Sequence, residues 1–110
     1  MSRRAAGLRA WLLQRISAVY LALFVVYYLL AGEAGGGYAA WRAWLAQPLP
    51  LLAMALFFIA VGIHAWVGMR DVIVDYVHHA GLRLLLLSIV GLVLLASLVW
   101  VFLALAEVSR

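Results

Sequence analysis

One histidine stands inside a long apolar run. His64 lies within Leu51–Met69, and no other Asp, Glu, Lys, Arg or His falls inside the three apolar runs 16–31, 51–69 and 84–106. Ionisable groups are costly inside a bilayer, which makes such a residue a functional candidate by default. At about 100° per residue, Ala60 and Gly68 lie one turn to either side of His64 on the same helix face. An imidazole between two very small residues leaves clearance for a flat macrocycle. Small residues equally serve close helix packing. Imidazole is a common haem-iron ligand, and the chain has no Cys to compete. A chain with one membrane histidine supplies only half of a bis-histidine site, so the second ligand must come from another subunit. The plainer alternative is a histidine hydrogen-bonded to a neighbouring helix, with no ligand.

Other polar residues cluster near the ends of the apolar runs. Arg15 sits at the start of the first run, near the level a macrocycle edge at His64 would reach, where a guanidinium pairs well with propionates. A snorkelling interfacial arginine is the alternative. Asp75 and Tyr76 lie just past the second run. Tyr76 is twelve residues from His64, about 18 Å if the helix continues. A phenol at the membrane surface can donate a hydrogen bond to a quinone carbonyl, and a nearby carboxylate can relay a proton. A belt tyrosine and a solvated acid would look the same. His78 and His79 follow, as proton relays, contacts to anionic lipid or plain headgroup-boundary residues. Ser17, Ser88 and Ser97 are expected to have no His/Asp partner at their depth, so no nucleophile triad is read. No zinc spacing, phosphate loop or acidic metal cluster is present.

The elements that position these residues follow from composition. Of 110 residues, 70% are hydrophobic and 11% charged, with mean hydropathy +1.16. Soluble domains are nearer half apolar and a quarter charged. The chain therefore reads as an all-α integral membrane protein forming one unit over residues 1–110. Three helices of about 20 residues leave about 50 for ends and loops, whereas four leave almost none. Continuous rather than alternating apolar runs exclude a β-barrel. The predicted spans are 12–31, 51–69 and 84–106. Gly35-Gly36-Gly37 breaks the first helix, and Pro48 and Pro50 mark the start of the next. Tyr38, Trp41 and Trp44 resemble an interfacial aromatic belt, with 38–46 as a short interfacial helix. Nothing before Gly81 forces the second helix to stop. Cleavage of a signal peptide is not expected, because the first run is long and Gly32-Glu33-Ala34 is a poor cleavage site.

The charges give an orientation. All eight basic residues are Arg, against four acids, a net charge of +4. Arg3, Arg4, Arg9, Arg15, Arg70 and Arg83 fall on one side, and Arg42 and Arg110 on the other. The positive-inside rule puts the N-terminus in the cytoplasm, and three spans then put the C-terminus outside. In so apolar a chain the excess charge speaks for membrane orientation, not nucleic-acid binding.

The stretch His64-Ala65-Trp66-Val67-Gly68-Met69, followed by Asp75-Tyr76, resembles the signature of the succinate dehydrogenase hydrophobic membrane anchor subunit, the smaller cytochrome b-type anchor. Gly81-Leu82-Arg83 and Gln14-Arg15-Ile16-Ser17-Ala18-Val19 are similar to that family too. The resemblance implies three spans in complex II, with a second membrane anchor (cytochrome b) subunit, an iron–sulfur subunit and a flavoprotein subunit as partners. It implies His64 as an axial ligand to the iron of a shared haem b. It further implies Arg15 near the haem propionates, and Tyr76 with Asp75 at the ubiquinone site. Succinate oxidation would belong to other chains. The bacterial inner membrane is expected rather than the mitochondrial one, because the N-terminus runs almost directly into the first span. Fumarate reductase is the alternative within the family. Outside it stand a small multidrug transporter, which needs four spans and an embedded carboxylate where this chain has Glu33 and Glu107 at run ends, and a structural membrane protein, which does not need His64.

Overall fold

The computed structural model describes residues 3–32 and 34–110; Glu33, weighed above as a carboxylate, lies outside the described residues. The described residues are all-helical: α1 (Arg3–Ala31), a 3-10 turn (Ala34–Gly36), α2 (Gly37–Leu45), α3 (Pro48–Tyr76) and α4 (Ala80–Val108). The helices α1, α3 and α4 are long and apolar enough to cross a membrane. Each has 29 residues, about 44 Å at the standard helical rise. That exceeds a hydrocarbon thickness of about 30 Å, so the helices outrun their apolar runs.

The helix ends show why. Gly32 closes α1: its N–H donates to the Tyr28 carbonyl at 2.9 Å, and a Cβ there would meet that oxygen at 2.6 Å. Gly37 turns the chain with φ +85°, a conformation open to glycine and few others. α3 begins on Pro48, with Pro50 in its first turn. Prolines are tolerated there because the first N–H groups of a helix have no intrahelical partner. The break between α3 and α4 falls at residues 77–79, ahead of Gly81, which instead lies in the first turn of α4. Side-chain caps make this break. His79 Nδ1 accepts the Leu82 N–H at 3.0 Å. The Arg83 guanidinium donates to the Val77 carbonyl at 2.9 and 3.1 Å, closing the last turn of α3.

α3 is central, and α1 and α4 each pack along it. The tightest packing is at the α2 end, where Phe24, Trp44, Leu45 and Met54 are buried. Phe24 stacks on Phe57 with ring centroids 4.5 Å apart. Trp41 Nε1 donates to Tyr28 Oη at 2.9 Å, and Tyr20 Oη to the Ala53 carbonyl at 2.7 Å. The short helix expected near 38–46 is present as α2, but only part of it lies at the surface. Tyr38 is exposed, whereas Trp44 leaves the expected belt and packs against Tyr27 and Tyr28. α4 contributes no buried residue, and many large apolar side chains on all three long helices face outward. This is the surface of a membrane protein, whose lipid tails are as apolar as the side chains that meet them.

The two ends of the molecule are distinct. Arg42 Nη2 donates to the Glu107 carbonyl at 3.0 Å, joining α2 to the end of α4. At the opposite end, the start of α1 and the last turns of α3 line a cleft of about 660 Å³.

Candidate functional site

His64 sits near the middle of α3, half-buried, facing α1. Its Nδ1 is 3.2 Å from Ser17 Oγ, and Ser17 also donates to the Gln14 carbonyl at 3.1 Å. Ser17 was expected to lack a histidine partner, and the structure corrects this. α1 and α3 run antiparallel in a register that sets residue 17 against residue 64. The pair is not a nucleophile triad, since no carboxylate among the described residues holds the imidazole. Ser88 and Ser97 conform to the expectation: each hydroxyl bonds the carbonyl one turn back, Leu84 and Val93 respectively. His64 Nε2 has no hydrogen-bond partner among the described residues.

The small residues around His64 are used by α1. Gly68 lies where a Cβ would come within 3.7 Å of Gln14 Nε2. Ala60 is buried and lines, with Ser17 and Tyr20, an apolar groove of about 250 Å³ between the two helices. Close helix approach is therefore one purpose of this face, because small residues let backbones come together.

Arg15 is exposed, with its guanidinium 5.7 Å from the centre of the Trp11 ring. It lines the cleft at the end of the α1–α3 pair together with Gln14, Arg70 and Asp71. Arg70 and Asp71 form an exposed ion pair at 3.0 Å, the kind that adds at most about 1 kcal/mol. Gln14 Oε1 is buried in this region with no hydrogen-bond partner. Gln14 and Ser17 stand in the 14–19 stretch, but nothing in the sequence singles either out as a contact of the His64 face.

Asp75 and Tyr76 end α3 and are exposed, Tyr76 at 79%. Neither side chain has a hydrogen bond among the described residues. α3 is continuous from His64 to Tyr76, so twelve residues of helix separate them by about 18 Å. The structure brings Arg15 to the cleft and Ser17 to His64, but it keeps Tyr76 apart from both. His79 is a helix cap, a role its sequence context did not reveal. No group of three or more His, Cys, Asp or Glu able to hold a metal occurs among the described residues.

Comparison with known proteins bears on what this arrangement serves. Residues 1–105 match the family described as Succinate dehydrogenase/Fumarate reductase transmembrane subunit. The chain belongs to this family. Among its relatives, the succinate dehydrogenase hydrophobic membrane anchor subunit of Coxiella burnetii is 33% identical over 102 residues, covering 90% of this chain and 86% of that protein. The subunit of the same name from Rickettsia conorii is 31% identical over 97 residues, covering 86% and 77%. As a family member, the chain is an anchor that works with other subunits. The three long helices of the described residues also fall one short of the four a small multidrug transporter needs. Glu107, placed at a run end and not embedded, is exposed at the end of α4 and paired with Arg110 at 3.2 Å.

Proposed function

We propose that the chain is the membrane anchor of a succinate:quinone oxidoreductase, holding one side of a haem b and forming part of a ubiquinone site. The observation that carries this reading is His64: a membrane-depth imidazole anchored through Nδ1, with Nε2 unpartnered. A neutral imidazole with one nitrogen tied and the other free matches an axial haem ligand. The partner set is a second membrane anchor (cytochrome b) subunit, which would supply the second haem ligand, with iron–sulfur and flavoprotein subunits on the cytoplasmic face. The arginine distribution makes that face the end carrying the N-terminus, the cleft and Tyr76. The membrane is the bacterial inner membrane.

With haem b bound, His64 would hold it through Nε2 and Arg15 would offer its guanidinium to a propionate. Haem b, when bound, supplies a one-electron relay. Tyr76 donates its hydroxyl hydrogen to a carbonyl oxygen of ubiquinone and orients the ring. The Asp75 carboxylate accepts protons from the aqueous phase and passes them on as the quinone takes up two electrons and two protons. Succinate is oxidised on other chains.

The test is His64→Ala in the intact complex. The expected result is loss or loosening of the haem, seen as loss of the b-type absorbance in the reduced-minus-oxidised spectrum. An unchanged spectrum would refute the ligand assignment.

A further inference from the structure

Ser17 is the buried polar side chain of the described residues, 6% exposed, and it touches the intramembrane histidine. A serine hydroxyl has one proton and two lone pairs. The proton goes to the Gln14 carbonyl at 3.1 Å. With that proton so engaged, His64 Nδ1 at 3.2 Å faces a lone pair of Oγ, an arrangement that favours the ring hydrogen on Nδ1. A neutral imidazole has a single N–H. Placing it on Nδ1 leaves Nε2 as a bare lone pair. The opposite tautomer would leave an Nε2–H donor without a partner in apolar surroundings, and unpaired polar groups are costly there.

We propose that Ser17 is a positioning residue: it selects the Nδ1–H tautomer of His64 and fixes the ring so that Nε2 presents its lone pair to an axial metal. This rests on the haem reading above and adds the group that chooses the ligating atom. Hydrogen-bond acceptors behind ligating histidines set ring orientation and raise ligand basicity. Here the acceptor comes from a different transmembrane helix, 47 residues away in sequence. Seating of α1 against α3 is thereby linked to the strength of the bond from His64 to iron. A more basic ligand favours the ferric over the ferrous state.

The test uses the purified complex with Ser17→Thr, Ser17→Val and Ser17→Ala. Thr keeps the hydroxyl, Val keeps the shape of Thr without it, and Ala removes a single oxygen from a helix interior. Haem content, the rate of haem loss to a competing apoprotein, the reduction midpoint and the low-spin ferric resonance are measured. Thr is expected to match the wild type. Val and Ala are expected to hold haem about tenfold less tightly, with a midpoint shifted toward easier reduction. Val and Ala complexes that match Thr in haem loss and midpoint would overturn the proposal while leaving His64 as a ligand. An Ala complex that fails to assemble would make Ser17 a folding residue and overturn it as well. A wild-type complex without haem b would overturn the functional reading itself, a result distinct from the other two.

Discussion

Tyr76 and His64 stand at opposite extremes of legibility and of environment. The Tyr76 ring is 79% exposed and its hydroxyl has no partner among the described residues. Removing that oxygen therefore costs the fold little. Tyr76→Phe is expected to slow quinone reduction about tenfold, the rate equivalent of one lost hydrogen bond of about 1.4 kcal/mol. Succinate oxidation with an artificial acceptor should persist in the same preparation. Equal loss of both activities would point to failed assembly and remove Tyr76 from the site. His64 was legible because a bilayer admits so few titratable groups that one histidine identifies itself. Its contact with Ser17 was not legible. That contact depends on how far α1 slides along α3, and apolar runs carry no record of register. The same blindness hid the approach of Gln14 to Gly68.

Among the elements, the turn between α3 and α4 depends most on single side chains. The Arg83 guanidinium bonds the Val77 carbonyl and reaches the Val74 carbonyl at 3.5 Å. Basic side chains near helix C-termini satisfy carbonyls that would otherwise have no partner. Arg83→Ala should remove about 1–2 kcal/mol and lower the thermal inactivation midpoint of the detergent-solubilised complex by several degrees. Arg83→Lys should recover part of it. An Ala variant as heat-stable as the wild type would show that the cap contributes nothing. The existence of the three spans was readable from hydropathy alone, and so were the starts set by Pro48 and the stop at the glycines. The break at residues 77–79 was not. No residue there forbids a helix, and it arises from two caps whose donors and acceptors meet only once both helices exist. In the sequence Arg83 reads as a charge and part of the Gly81-Leu82-Arg83 stretch, and His79 as a proton relay, a lipid contact or a boundary residue, and neither reads as a cap.

At the level of the whole molecule, the chain has two unlike ends, and the positive-inside rule predicts that the arginine-rich end faces the cytoplasm. A phosphatase that matures only outside the cytoplasm, fused after Arg110, should be active. A fluorescent protein that folds only in the cytoplasm should stay dark at the same position. The reverse pattern would invert the orientation and move Tyr76 away from the face on which the soluble subunits are proposed to dock. The unlike ends also have a mechanical meaning. The buried cluster of Phe24, Trp44, Leu45 and Met54, with Arg42 bound to the end of α4, clamps the helices at one end. At the other end α1 and α3 border an open cleft. The pair resembles a tuning fork held at its base. Small tilts of α1 are expected to pivot near Phe24 and grow toward its start, so that the Ser17–His64 contact shifts less than Arg15. Amide exchange should slow steadily from the prong tips toward the base, leaving the span that holds the imidazole stiffer than the surface where the quinone would enter.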